Sequence, residues 1–392
     1  MFSRTSKTNS ETRSDLIGTL APIILVNLLF SANPLSTLSW SLHFLLYSVF
    51  LGSVLAPGSD LLRKSWLSAK MFSRTSKTIG ETRSEPQVVI AVALTFTLLF
   101  QLALSLTQVY LGHSIGGLMY YLGERSIAVG QPAVALGSFM DSVVLRAYGT
   151  FGHPNVLAGW SVVALLITIQ LRKQRAVRRS DLLRKSWLSA KMFSRTSKTS
   201  SETRSDLFGI YFPLLLTTFI ILLTESRSAL IALFGLVIPF YLIRNLKARI
   251  LYYSITLLLC YSLVPSLFTP PRADLSRVER LTLQGLSLSV AKTYPLFGTG
   301  ANASISTYPA ISPTNRLLQP DHNSFTLCLS WFGLFGVLAT ILILKSKILN
   351  LKSFIPIVPL LLLDHYLLTS PQGLFIFLLY LKLNYSHAQK NL

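Results

Sequence analysis

Residues 208–224 read FGIYFPLLLTTFIILLT, residues 225–228 read ESRS, and residues 229–243 read ALIALFGLVIPFYLI. Two apolar stretches thus flank a single polar step that carries Arg227. Each stretch approaches the length needed to cross roughly 30 Å of hydrocarbon as a helix. A permanent cation is therefore held where two membrane helices meet. That placement costs roughly 3 kcal/mol at mid-bilayer and less near the interface, so function is the default expectation for Arg227.

Composition points the same way. The 392-residue chain is 51% hydrophobic and only 13% charged, its mean hydropathy is +0.52, and apolar runs recur along its whole length. The net charge of +21 is of the kind that suits nucleic acid, but a soluble nucleic-acid binder would not carry so many lipid-length segments. Basic balance here reads as topology, and no nucleic-acid partner is expected. Cys260 and Cys328 both lie inside apolar segments, which gives neither a disulfide framework nor a zinc spacing.

Ten spans are expected: 16–30, 38–55, 88–110, 156–169, 208–224, 229–243, 250–264, 324–344, 354–368 and 374–383. The fold class is then all-α, a polytopic integral membrane bundle forming one domain over residues 1–392 with the lipid bilayer as its solvent. The polar, basic start MFSRTSKTNSETRSD precedes an apolar run suited to act as an uncleaved signal anchor. With the amino terminus cytoplasmic, 28 of the 36 Lys+Arg fall on inner segments and eight on outer ones, as the positive-inside rule demands. Both termini are then cytoplasmic, in the cytoplasmic (inner) membrane.

The outer eight are Arg125, Arg146, Arg227, Arg272, Arg277, Arg280, Lys292 and Arg316, seven of them arginine, whereas the inner set divides evenly between Arg and Lys. Guanidinium forks suit phosphate recognition. Any single one could simply snorkel at the interface; as a set with few acids to pair them, they point to an anionic ligand outside.

Residues 60–86 recur as residues 181–207, with only four of 27 positions different, and the first fourteen residues repeat parts of the same segment. Structural repeats diverge because their neighbours differ, so near-identity reads as recent copying into tolerant cytoplasmic loops. Met1 itself lies inside a copy, which leaves room for a longer start. The functional alternative is an amphipathic surface helix with Leu61, Leu62, Trp66, Ala69 and Phe72 toward lipid. Neither reading makes the repeat a catalytic part.

The outer segments carry the chemistry. Residues 111–155 form a loop rich in Gly, Pro and aromatic residues, too long for a simple turn and expected to cap the membrane face. Residues 266–322 contain a predicted helix over 274–292 that puts Arg277 and Arg280 on one face. The following YPLFGTGANASI contains Gly298 and Gly300, which permit close backbone approach to a ligand. His322 then stands at the outer mouth of the eighth span beside Asp321 and Asn323. Its imidazole suits removal of a hydroxyl proton; a helix-capping or interfacial histidine is the plainer alternative.

The ordered set Gly149-Thr150-Phe151-Gly152-His153-Pro154-Asn155-Val156-Leu157-Ala158, Glu225-Ser226-Arg227-Ser228-Ala229-Leu230, Pro295-Leu296-Phe297-Gly298-Thr299-Gly300 and His322-Asn323 resembles the O-antigen ligase and O-antigen polymerase family of bacterial membrane glycosyltransferases. The resemblance covers most of the chain outside the copied loops. It implies a helical membrane enzyme, without metal or other cofactor, that moves a glycan from a polyprenyl diphosphate carrier to a lipid, glycan or protein acceptor at the outer face. Carried over, Arg227 grips the diphosphate and His322 is the base for the acceptor hydroxyl. Arg146, Arg277, Arg280, His153, Asn155, Gly298, Gly300 and Asn323 are the accompanying diphosphate or glycan ligands. Asp364-His365 resembles a late feature of some members, and equally fits a buried polar pair that locks two helices. The copied loops and a lower span count depart from the family pattern.

The outer acids are Glu124, Asp141, Glu225, Asp274, Glu279 and Asp321, none spaced as a DxD pair, so arginine is expected in the charge-stabilising role rather than a divalent ion. No GxxxxGK[ST] phosphate loop is present, which argues against ATP-driven export. The alternative function is a flippase or transporter of lipid-linked oligosaccharide, which should string cations along a path through the bundle.

Overall fold

The computed structural model describes residues 26, 28–54, 86–132, 134–139, 142–189, 200–238, 273–345 and 355–388. The span expected over 250–264, most of that over 16–30, and the copy at 60–86 apart from its last residue lie outside the described residues, as does Cys260. The described chain is mostly helical. Its long helices are α1 (Pro34–Val54), α2 (Pro86–Leu111), α3 (Pro154–Ser189) and α4 (Ser200–Thr224). Three of them begin on proline, whose fixed φ and missing N–H suit the first helical turn.

Among the described residues, three helices are long and apolar enough to cross a membrane: Pro34–Leu51, Gln87–Leu111 and Pro154–Arg175. Gly209–Thr224 and Ser324–Thr340 are shorter apolar helices. Helices of this length and composition identify a helical membrane protein. The central one is α3, with 89% of its apolar segment buried against 33% in α2 and 17% in α1. It packs on α2, on α4 and on α10 (Pro371–Ala388), and Val162 through Ile167 are fully buried. By contrast α1 exposes Leu35, Leu38, Leu42 and Leu46. Their spacing of three and four makes one continuous apolar stripe, which in a bilayer is an ordinary lipid-facing surface. Gln170 on α3 donates its amide to Asn384 on α10, and the Asn384 amide donates to the Tyr380 carbonyl at 3.0 Å, so a polar pair joins the two helices within the apolar core.

Arg227 opens α5 (Arg227–Leu230), which continues as a π-helix over Ile231–Val237. Further along the chain, α6 (Ala273–Thr293) matches the expected helix closely. Next, α7 (Ser324–Lys345) is interrupted at Gly333, where φ is 58° and ψ −156°. The loop Pro295–Gly300 fills that break: Leu334 N–H donates to Pro295 O at 2.8 Å, Phe335 N–H to Leu296 O at 3.0 Å, Thr299 N–H to Ser330 O at 2.9 Å and Gly300 N–H to Trp331 O at 3.0 Å. Backbone groups freed by the kink are thus re-paired within the protein, as a low-dielectric setting requires.

Three sequence expectations are corrected. The chain is not purely α-helical: β1 (Leu136–Phe139) and β2 (Ser142–Leu145) pair antiparallel, Leu136 opposite Leu145, in the segment between α2 and α3. The second copied segment is not wholly a loop, because α3 runs on to Ser189 and α4 starts at Ser200. Finally, the span expected over 354–368 is broken into α8 (Val358–Leu363) and α9 (Tyr366–Thr369), with Asp364 extended between them. Flanking apolar residues concealed that break.

Candidate functional site

The segment between α2 and α3 is fastened to α2 by two glutamines spaced seven apart, hence on one helical face. Gln108 donates to Gly149 O at 2.9 Å and accepts from Gly149 N–H at 2.8 Å, while Gln101 donates to Thr150 Oγ1 at 2.7 Å and accepts from Thr150 N–H at 3.0 Å. Gly149 has φ +57°, and a Cβ there would lie 2.2 Å from Gln101 Oε1. Buried Glu124 closes the same loop by accepting from Gln108 Nε2 and from the amides of Ile115 and Gly116 at 2.8–2.9 Å. Neither glutamine was singled out from sequence; two polar residues two turns apart in an otherwise apolar helix were the available signal.

This frame sets Arg146. Its Nε donates to Thr224 O at 2.7 Å and its Nη2 to Asn155 Oδ1 at 2.9 Å. Ala147 N–H donates to Leu223 O at 3.0 Å. The loop is thereby stitched to the end of α4, directly before the Glu225-Ser226-Arg227 step. Burial pulls the Arg146 guanidinium below the usual arginine range, Glu225 opposes this, and Arg227 and Arg280 lie close enough to add to it. Glu225 takes the left-handed conformation, φ 50°, and the backbone of β1 lies on it: a Cβ on Gly137 would fall 2.0 Å from Glu225 Oε1.

Of the expected residues, Arg227 is exposed at the start of α5 and Arg280 is half-buried on α6. The side chain of Arg277 lies outside the described residues. His153 is at the surface, where its Nδ1 accepts the Asn155 amide at 3.2 Å. His153 stands within electrostatic reach of Arg146, His322, Arg280 and Asp364. Residues from the segment between α2 and α3, from α6, from the start of α7 and from the break between α8 and α9 thus converge on one region.

His322 Nδ1 lies 3.7 Å from Asp364 Oδ1, with His322 22% exposed and Asp364 5%. Ser324 Oγ donates to the Asp364 carbonyl at 2.8 Å, tying the start of α7 to the break. His365 N–H donates to Asp364 Oδ1 at 3.1 Å. Among the described residues, neither His322 Nδ1 nor Asp364 Oδ2 has a hydrogen-bond partner, although both atoms are buried. Such groups are rare in folded proteins and mark sites of function. Beside them Asp321 is buried, and burial raises its carboxyl above the ordinary range despite the Asn323 amide at 3.0 Å and the Thr326 hydroxyl.

Three expected ligands have structural duties. Asn323 Oδ1 accepts from Phe325 N–H at 2.9 Å, capping α7. A Cβ on Gly298 would lie 2.4 Å from the Trp331 carbonyl carbon, and one on Gly300 2.4 Å from Ser31 Oγ. Those glycines permit close approach to this chain's own segments. The described cavity of about 400 Å³, lined by residues including Tyr47, Gln101, Trp160 and Phe375, contains none of the candidate side chains. Among the described residues, His322, Asp364 and His365 could hold a metal ion, each offering one ligand atom within 4.8 Å of the other two.

Residues 212–341 match the O-antigen ligase family. That segment contains Arg227, Arg277, Arg280, Gly298, Gly300 and the His322-Asn323 pair, so the resemblance read from the motifs holds there. No curated protein matches the chain.

Proposed function

We propose, on the premise that residues 212–341 are an O-antigen ligase region, that this chain transfers a glycan from a polyprenyl diphosphate carrier to an acceptor hydroxyl at the outer face of the cytoplasmic membrane. The observation that carries the reading is the pairing of His322 with buried Asp364 in a region where Arg146, Arg227 and Arg280 interact electrostatically. The acceptor oxygen attacks the anomeric carbon and its proton passes to the imidazole of His322. The bond from that carbon to the diphosphate oxygen breaks, and the leaving polyprenyl diphosphate carries off the electron pair. Asp364 orients the imidazole and stabilises the imidazolium that forms. General-base assistance of this kind is worth about 10²–10⁴ in rate.

Arg227, with Arg146 and Arg280, meets the charge that grows on the diphosphate. Such preorganised donors act most strongly where water is scarce, removal of one costing about 10²–10³ in rate. Arginine fills the role a divalent ion has in other glycosyl transfers, and Arg277, three residues before Arg280 in the sequence, is counted with them. His153 and Asn155 hold the loop that presents Arg146. The bundle is a single membrane domain in which the outer loops over 111–155 and 266–322 carry the site, both termini being cytoplasmic.

The test is reconstitution of the chain in proteoliposomes with a polyprenyl-diphosphate oligosaccharide and lipid, glycan and protein acceptors. The expected result is glycosylated acceptor and free polyprenyl diphosphate in equal amounts, without added metal. Consumption of no donor with any acceptor, or movement of intact donor across the bilayer, would overturn the reading.

A further inference from the structure

We infer that His322, Asp364 and His365 form a binding site for a divalent transition ion, with zinc as its best-matched member, and that occupancy withdraws the His322 imidazole from other chemistry. Each side chain brings one ligand atom within 4.8 Å of the other two. Tetrahedral zinc holds imidazole nitrogen and carboxylate oxygen at roughly 2.0–2.2 Å, which puts neighbouring donors a little over 3 Å apart. The His322 Nδ1 to Asp364 Oδ1 separation of 3.7 Å is within a small side-chain adjustment of that spacing. Three protein donors leave a fourth position for water.

A second observation concerns the proton on His365. Its Nδ1 lies 2.6 Å from Thr369 Oγ1, and the same hydroxyl donates its single proton to the His365 carbonyl at 3.2 Å. In the tautomer compatible with that carbonyl bond, Nδ1 is the donor to Oγ1 and Nε2 keeps its lone pair. This is the outer hydrogen bond that fixes a metal-binding histidine in its ligating tautomer. At the same time His322 Nδ1 and Asp364 Oδ2 are buried and lack hydrogen-bond partners among the described residues, a cost that an ion would relieve. His322 is 22% exposed and provides the way in.

The surroundings select the kind of ion. Arg280 and His153 stand within electrostatic reach of His365, and a single carboxylate does not offset a dication among them. Magnesium and calcium, which need several oxygen ligands, are disfavoured, whereas an ion with affinity for imidazole tolerates that field.

The experiment uses the full chain in nanodiscs, dialysed against micromolar Zn²⁺, with bound metal measured by mass spectrometry and Co²⁺ absorption read in parallel. One zinc per chain and the visible bands of four-coordinate cobalt are expected, with affinity weakened about tenfold or more in His365→Ala and Asp364→Asn. His365→Cys, which supplies a thiolate ligand, should restore binding. Absence of stoichiometric zinc and of cobalt bands in the wild type overturns the site whatever the variants do, as does equal zinc uptake by all three variants and wild type. The readout is binding, so it stands apart from glycosyl transfer; only the added consequence, that zinc slows transfer and a chelator restores it, rests on the proposed function.

Discussion

His322 and Asp364 face each other at 3.7 Å from two separate breaks in the chain, one at the mouth of α7 and the other between α8 and α9. The start of α7 holds both, His322 through the Asn323 cap and Asp364 through Ser324. An orienting role for Asp364 has a specific consequence. Asp364→Asn removes the charge that stabilises an imidazolium while keeping the shape, so the transfer rate at saturating substrate should fall about 10²–10⁴-fold with little change in KM. A KM effect alone would assign Asp364 to substrate binding instead.

Arg227 should act on the leaving group. Arg227→Lys keeps the charge and loses the planar fork, so it should recover only part of the activity lost in Arg227→Ala, which is expected to fall about 10²–10³-fold. Competition by inorganic pyrophosphate provides the second readout: its inhibition of the wild type should weaken in both variants. Equal inhibition in all three would detach Arg227 from the diphosphate.

The glycines of the second outer loop should matter for folding. A Cβ at Gly298 would lie 2.4 Å from the Trp331 carbonyl carbon and one at Gly333 would lie 2.6 Å from Leu296 O, both at positive φ. Gly298→Ala and Gly333→Ala should therefore each destabilise by about 1–3 kcal/mol or more, visible as a lower thermal midpoint in detergent. Gly285, whose Cβ would meet nothing within 4 Å, is the control. Unchanged midpoints in the first two variants would contradict the packing described.

Asp321 gives a pH dependence with a definite sign. Burial raises its carboxyl in the folded state above the ordinary value of 3.8, so the fold favours the protonated form. Its contribution to stability is then present below the ordinary carboxylate range and is lost as pH rises through the raised folded-state value. Thermal midpoints followed upward from pH 4 should show that loss in the wild type and a flatter profile in Asp321→Asn. An identical slope in both would remove Asp321 as its source.

Much of this was readable in the sequence because apolar length and proline position are local signals. Pro34, Pro86 and Pro154 open the three helices long enough to span, and the helix expected over 274–292 falls inside Ala273–Thr293. What escaped depends on distant partners. Asp364-His365 sits between apolar runs that read as one span, so only tertiary contacts reveal the break. Gly298 and Gly300 carry the same signature whether a ligand or the chain's own backbone comes close. The paired strands β1 and β2 lie in a segment with no clear alternation, and the backbone of β1 at Gly137 lies against the distant Glu225.

The central claim is that His322 takes the acceptor proton. The most direct measurement is single-turnover transfer in proteoliposomes by wild type and His322→Ala, with donor binding measured on the same preparations. The expected result is donor affinity within about twofold and transfer slowed about 10²–10⁴-fold in the variant. Transfer by His322→Ala at the wild-type rate, with donor bound equally well, would contradict the account.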